Sequence, residues 1–407
     1  MSKASIFLFV ATLTVNGANY LLNLFLARWL GPEGFSEANL LATLIMVVSF
    51  AAVGLQMTTT KLAATHQNGQ ISHMYTSTRR TSMIVSGLIM LASPALTVFF
   101  QLESCIPILL IAAGIPFYML MSISRGLYQG QCDFVRLGWT YLVEMLVRVS
   151  LTVIPLVFMQ MMAHGSEVVA MAFLLSFVLT WWIFRPSLSP SDGSGLPRVI
   201  VRFIAVIFFY EISQIVINNS DVILVKHYFS ELDSGLYASM SLVGRVIFFA
   251  TGFIVLILFP KVAAQDSKDA SSHNILYVAL GIMAVLGSAL VLGSYCMGTE
   301  ILSLTFGEEY GAHGPYLWRY MLMTFCFCCA NVIVYFYLVQ DRFLPVGLSL
   351  MAGLAQVLIL LFFHDSILQV VNIQLALTGM LLLSTVCYHL AISVHPGFRV
   401  NLQSRSI

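Results

Sequence analysis

The chain alternates between long apolar segments and short polar connections. Twelve segments stay apolar over about 20 residues, the length that one transmembrane helix requires. These segments are apolar on all sides and do not alternate between apolar and polar positions, as the strands of a porin-type barrel do, so this class is excluded. The pattern therefore predicts an all-α polytopic membrane protein with about 12 transmembrane helices at residues 6–29, 38–60, 82–101, 105–124, 137–159, 166–184, 199–225, 235–259, 274–297, 315–339, 343–363 and 371–393.

Composition and charge agree with this interpretation. Of 407 residues, 59% are hydrophobic and 9% are charged, whereas soluble domains carry about 25% charged residues. A net charge of +1 leaves no basic face for phosphates, which argues against nucleic acid as a partner. Cys326, Cys328 and Cys329 lie in an apolar segment without histidine, so we interpret them as buried hydrophobic residues rather than a metal site, and we expect no cofactor.

The distribution of positive charge predicts the orientation. With the N-terminus in the cytoplasm, most of the 19 lysines and arginines fall on the cytoplasmic side, as the positive-inside rule requires. These cytoplasmic residues are Lys3, Lys61, Arg79, Arg80, Arg125, Arg136, Arg185, Arg198, Arg202, Lys261, Lys268, Arg342, Arg399 and Arg405. An even number of spans then predicts that both termini are cytoplasmic.

A stretch rich in Pro, Gly and Ser between the sixth and seventh spans predicts two halves. We expect a six-helix bundle over 1–187, a cytoplasmic linker over 188–198 and a second six-helix bundle over 199–407. The halves also resemble each other: Leu26–Ala38 parallels Leu224–Ala238. Because each half has an even number of spans, the copies have the same orientation. Parallel repeats of this kind are typical of transporters that work by alternating access.

The few charges inside the predicted spans point to a binding site. Arg148, Arg245 and Glu211 lie 10 to 12 residues into their spans, close to the membrane midplane. Two guanidinium groups, one from each half, suit a pyrophosphate ligand. The alternative is structural: Glu144 and Arg148 neutralise each other at i and i+4, and Glu211 pairs with Arg245.

Polar residues also follow one face of the first span and recur in its repeat mate. These are Asn16, Asn19 and Asn23, followed by Asn218, Asn219 and Asp221 in the second half. They either line a polar cavity and contact substrate or form hydrogen bonds between helices. Lone histidines such as His389 are more often structural than proton carriers.

The loops contain no motif that indicates an enzyme. There is no phosphate-binding loop, zinc-protease motif or nucleophile elbow, and the connections are too short for a soluble catalytic domain. We therefore expect a protein that is not an enzyme, with a membrane glycan polymerase or glycosyltransferase as the alternative.

Two segments carry a family resemblance. Asn19–Ser36 and Arg125–Phe134 resemble recurrent signatures of the polysaccharide transporter family, the Wzx-like flippases of the multidrug/oligosaccharidyl-lipid/polysaccharide exporter (MOP) superfamily. The related lipid II flippases carry an Arg-Asp pair near the outer end of the first span. Here the nearest positions are Leu22 and Asn23, so the pair is absent. We therefore expect Arg148 and Arg245 to bind the phosphate instead.

The resemblance implies a flippase of the bacterial inner membrane that moves polyprenyl-pyrophosphate-linked oligosaccharide across the bilayer for cell-surface polysaccharide synthesis. Its partners would be this lipid-linked oligosaccharide, membrane lipids, H+ or Na+ as a coupling ion, and other polysaccharide-assembly membrane proteins. The alternative within the superfamily is a cation-coupled multidrug exporter.

Overall fold

The computed structural model describes residues 3–64, 68–186, 198–263, 270–340 and 342–394. Within these ranges the regular structure is helical throughout, and two short 3-10 turns, Met162–His164 and Glu308–His313, precede α5 and α9. The α-helices are α1 (Lys3–Ala64), α2 (Asn68–Phe99), α3 (Ile106–Gly130), α4 (Phe134–Phe158), α5 (Gly165–Phe184), α6 (Arg198–Tyr228), α7 (Glu231–Ala263), α8 (Ala270–Phe306), α9 (Gly314–Val339), α10 (Leu344–Phe362) and α11 (Ile367–Val394).

Helix α1 contains the first two predicted spans. Its 62 residues would extend about 93 Å, roughly three times the ~30 Å hydrocarbon core. The helical geometry breaks at Gly31, where φ is 71° and ψ is 178°, and Pro32 follows. Glycine adopts positive φ without steric cost, so the predicted connection between the two spans is a sharp kink instead of a loop.

The other ten helices correspond one to one with the remaining predicted spans, which confirms the all-α, twelve-span prediction. Nine helices among the described residues meet the length and hydropathy expected for membrane crossing. The chain is therefore a multi-pass membrane protein. The largest difference from the sequence prediction is at α2, which begins at Asn68 rather than at residue 82, so that much of the predicted 61–81 loop is helical.

Contacts divide the chain into two compact units. The first consists of Met1–Glu211 with Val225–Gly235, and the second of Ile212–Leu224 with Leu236–Ile407. The predicted linker 188–198 lies outside the described residues except for Arg198. The predicted boundary between two six-helix bundles therefore stays a prediction.

In the first unit, α3 packs against α1, α2 and α5. Two glycines four residues apart, Gly126 and Gly130, bring α3 close to α1. A β-carbon at either position would lie 2.4 Å from a backbone oxygen of α1, that of Gln56 or of Thr60. The Thr60 hydroxyl also donates to the Gly126 carbonyl at 3.2 Å. Small residues that allow such close backbone approach are typical of helix pairs in membranes.

In the second unit, α9 is the helix on which α8 and α11 pack. The ring of Phe325 on α9 fills the space beside Gly287 on α8, where a β-carbon would lie 2.1 Å from the ring. Phe327 and Cys328 are buried in the same helix. This packing holds α8 and α11 against α9.

Candidate functional site

Three helices of the first unit bring Glu144 together with three other polar side chains. Glu144 and Arg148 are one turn apart on α4, and Arg148 Nη1 donates to Glu144 Oε1 at 3.2 Å. Arg148 Nη2 donates to Asn19 Oδ1 of α1 at 2.6 Å. The i, i+4 pair that the sequence offered as a structural alternative is therefore present, and Asn19 joins it.

The fourth member is Arg125, which the sequence analysis assigned to the cytoplasmic side. Arg125 Nη2 lies 2.6 Å from Glu144 Oε2, and its Nε donates to the Thr140 hydroxyl at 3.0 Å. The side chain is only 6% exposed. Its cytoplasmic side stays a prediction, but the end of the fourth span at residue 124 was wrong, because α3 continues to Gly130 and includes Arg125. The spacing of Gly126 and Gly130 was the signal that this segment is a packed helix.

Aromatic rings cover both guanidinium groups. Arg125 lies over the Tyr141 ring at 4.1 Å, and Arg148 lies over the Phe173 ring at 4.9 Å. Such cation–π contacts stabilise a positive charge away from water. Two arginines share one carboxylate, so this buried cluster carries one positive charge more than its acid neutralises. We call Asn19, Arg125, Glu144 and Arg148 the Glu144 cluster.

The two arginines hold Glu144 unequally. Arg125 makes the shorter ion pair, and it also donates from Nη2 to the Thr140 carbonyl oxygen at 3.2 Å. Arg148 makes the longer ion pair and has one further hydrogen bond, to Asn19. Arg125 is thus held by three hydrogen bonds and Arg148 by two.

The second unit contains a buried network around Asp221 of α6, which is 1% exposed. Its Oδ2 accepts from the Tyr237 hydroxyl at 2.6 Å and from the Tyr320 hydroxyl at 3.1 Å. Gln374 Nε2 of α11 donates to the Tyr237 oxygen at 2.9 Å. This network, the Asp221 network, joins α6, α7, α9 and α11.

Arg245 of α7 lies beside the Asp221 network. It interacts electrostatically with Asp221 and Tyr320 but is not within ion-pair distance of that carboxylate. Its Nη2 atom is buried and has no hydrogen-bond partner among the described residues. Gly244 leaves room for the Tyr320 ring, which would lie 2.7 Å from a β-carbon there. The Nη2 atom of Arg245 is therefore a charged hydrogen-bond donor that no described residue accepts from.

The remaining predicted site residues have more local roles. The side-chain amides of Asn23, Asn218 and Asn219 each donate to the backbone carbonyl four residues earlier. Asn16 and Glu211 are half-buried. Because Glu211 and Arg245 belong to different units, their predicted pairing stays a prediction, as does the arrangement of Arg148 opposite Arg245.

Comparison with known proteins identifies the family. The model of the family described as "Polysaccharide biosynthesis protein" matches residues 25–313. No curated protein sequence matches significantly. Two similar solved structures are an inward-facing MATE multidrug transporter of the MOP superfamily (TM-score 0.68, 14% identity, 100% of both chains covered) and the lipid II flippase MurJ in an inward closed conformation (0.73, 14%, 96% of this chain and 88% of that one).

A third is a MOP-superfamily transporter from Pyrococcus furiosus, with a TM-score of 0.59, 14% identity and 96% coverage of both chains. At this identity the structural likeness establishes the fold, and it confirms the predicted MOP-type architecture. The family follows from the sequence match, which spans well over half of the chain and confirms the resemblance seen in its motifs. The chain belongs to the polysaccharide biosynthesis protein family.

Proposed function

We propose that this protein is a flippase that moves a polyprenyl-pyrophosphate-linked oligosaccharide across the membrane. The family match supports a role in polysaccharide biosynthesis. The fold is similar to that of a protein described as a lipid II flippase. The cargo would carry a charged pyrophosphate between an apolar lipid tail and a polar glycan, so the protein must offer buried positive charge inside a membrane-spanning fold.

The observation that carries the proposal is this buried positive charge. The Glu144 cluster has two arginines for one acid, and Arg245 Nη2 is buried without a hydrogen-bond partner among the described residues. Charged residues inside a membrane are costly, and those that persist usually serve transport. Guanidinium groups bind phosphate oxygens through paired hydrogen bonds.

Glu144 is closer to Arg125 than to Arg148, and this difference supports the following order of steps in phosphate binding. A phosphate oxygen entering the first unit takes the place of Glu144 Oε1 on Arg148 Nη1. Glu144 stays bound to Arg125, so the carboxylate is never left without a partner. The oxygen of Asn19, which accepts from Arg148 Nη2, keeps the guanidinium in position during the exchange. In the second unit, Arg245 Nη2 offers a donor that needs no exchange.

The proposal includes its cellular setting. The protein would lie in the bacterial inner membrane with both termini in the cytoplasm, as the charge distribution predicts. It would work by alternating access with H+ or Na+ as the coupling ion, alongside other membrane proteins of polysaccharide assembly. It would perform no enzymatic step, because its short connections offer no room for a catalytic domain.

The second candidate is a cation-coupled multidrug exporter, since one similar structure is described as a multidrug transporter. Such a protein would require acidic residues that bind cations. The first span instead carries Asn16, Asn19 and Asn23, and the acid of the adjacent cluster, Glu144, is neutralised by two arginines. The charge of the first unit therefore favours an anionic cargo.

Reconstitution in proteoliposomes separates the two candidates. Labelled polyprenyl-pyrophosphate oligosaccharide is incorporated, and its transfer between leaflets is followed with a membrane-impermeant reagent. We expect transfer that depends on the protein and no exchange of drugs for cations. Drug-driven cation exchange without transfer of any such lipid would overturn the proposal in favour of the exporter.

A further inference from the structure

A histidine in the second unit lies between two tyrosines on neighbouring helices. The Nδ1 atom of His389 on α11 is 2.8 Å from the Tyr337 hydroxyl of α9. Its Nε2 atom is 3.1 Å from the Tyr277 hydroxyl of α8. His389 is 5% exposed, whereas Tyr277 is 52% exposed and connects this buried ring to the surroundings. The transport site described above uses none of these three residues.

The two hydroxyl groups allow His389 to be neutral or charged. A neutral imidazole donates from one nitrogen and accepts at the other, and a protonated one donates from both. A tyrosine hydroxyl can donate or accept, so adding a proton requires only that one hydroxyl turns. A neighbouring carboxylate would instead fix the charged form, and a backbone carbonyl would fix one tautomer.

Among the described residues, three further titratable groups lie near His389 or its tyrosine partners. The ring of His273 on α8 is 5.4 Å from the ring of His389. Arg342, in the connection between α9 and α10, lies 5.9 Å from the Tyr337 ring. Tyr388 precedes it on α11 and interacts with Arg342. Arg342, and His273 when it is charged, oppose a positive charge on His389. A proton bound to His389 can therefore leave again.

The helices that hold His389 also hold the Asp221 network. Helix α11 carries both His389 and Gln374, 15 residues apart, which corresponds to about 22 Å along the helix. Helix α9 carries both Tyr337 and Tyr320. A shift of either helix on protonation would therefore move a residue that bonds to Tyr237 or Asp221.

From these contacts we propose that His389 is a reversible proton-binding site, and that its occupancy is coupled through α9 and α11 to the Asp221 network. The proton comes from water and returns to it, and no other bond changes. This coupling rests on the proposed transport function, whereas proton binding by His389 does not. The predicted topology puts His389 near the cytoplasmic end of α11, where it would sense cytoplasmic pH.

The first measurement tests proton binding directly. The full-length protein, labelled with 15N-histidine and held in nanodiscs, is titrated between about pH 5 and 8, where histidine changes charge. We expect a titrating signal that disappears in His389→Gln and remains in His73→Gln, a control at an exposed position of α2. Tyr277→Phe, which keeps the ring at a half-exposed position, should shift the titration. A His389 signal that does not titrate in this range overturns the proposal.

The second measurement tests coupling. Leaflet transfer is recorded against pH for wild type, His389→Gln and His73→Gln. If one proton controls transport, the rate of leaflet transfer changes by up to about tenfold per pH unit. We expect this pH dependence in wild type and His73→Gln and its loss in His389→Gln. An unchanged pH profile in His389→Gln overturns the coupling. If wild type moves no lipid at any pH, the proposed function fails instead, and the titration alone decides whether His389 binds protons.

Discussion

Arg125 on α3 and Glu144 on α4 form a buried ion pair with an N–O distance of 2.6 Å. The second oxygen of the same carboxylate lies 3.2 Å from Arg148. One acid is therefore shared between an arginine fixed by Thr140 and an arginine that also reaches α1 through Asn19. In the proposed mechanism, Arg125 therefore has a structural role and Arg148 binds the ligand.

Arg125→Ala should destabilise the protein. The substitution removes the shorter ion pair of Glu144 and the bonds to Thr140, and breaking a buried pair costs about 3–5 kcal/mol. Thermal unfolding in detergent measures the effect. Arg136→Ala is the control, because Arg136 lies on α4 with its side chain 66% exposed. Equal stability of the two variants would show that Arg125 does not hold the cluster together.

Glu144→Gln should strengthen binding of the pyrophosphate lipid. The substitution removes the carboxylate that competes with phosphate for Arg148. A hydrogen bond to a charged group is worth about 1.5–3 kcal/mol, which corresponds to roughly 10- to 150-fold in affinity. Binding of the lipid to purified protein is measured by titration. If Glu144→Gln instead weakens binding as much as Arg148→Ala does, the exchange mechanism is wrong.

The sequence was sufficient to predict the transmembrane spans but not to identify every member of the Glu144 cluster. Apolar segments of about 20 residues locate membrane helices because burial in lipid demands them, and the i, i+4 spacing of Glu144 and Arg148 indicated their pairing. Arg125 was missed because hydropathy ends a span at the first charge, whereas the helix continues to Gly130. The partnership of Asp221 with Tyr237 and Tyr320 joins three helices, and no local pattern encodes such contacts.

Gly126→Ala should push α1 and α3 apart. Its β-carbon would lie 2.4 Å from the Gln56 backbone oxygen and 2.6 Å from the Thr59 β-carbon, where neither helix can yield without moving. Overpacking of this kind costs about 1–3 kcal/mol. Gly87→Ala is the matched control, since nothing lies within 4 Å of a β-carbon there. Thermal unfolding should rank Gly126→Ala well below Gly87→Ala, and a reversed order would refute this close contact.

Tyr237→Phe should be more damaging than Tyr320→Phe. The Tyr237 hydroxyl makes the shorter bond to Asp221, at 2.6 Å, and accepts from Gln374. The Tyr320 hydroxyl makes the longer 3.1 Å bond to Asp221 and also has a hydrogen bond with the Ser241 side chain. Each lost bond to a buried charged group costs about 1.5–3 kcal/mol. Unfolding temperatures of the two variants provide the comparison. Equal losses would mean that Tyr237 does not organise the Asp221 network.

The most direct test of the central claim is leaflet transfer of labelled polyprenyl-pyrophosphate oligosaccharide by Arg148→Ala and Arg245→Ala in proteoliposomes. Arg136→Ala serves as the control for loss of an exposed arginine. We predict that wild type and Arg136→Ala transfer the lipid. Arg148→Ala and Arg245→Ala should each be slower by at least about tenfold, since each loses a charged donor for phosphate. Transfer by both variants at the wild-type rate would contradict the proposal that these buried arginines bind the pyrophosphate.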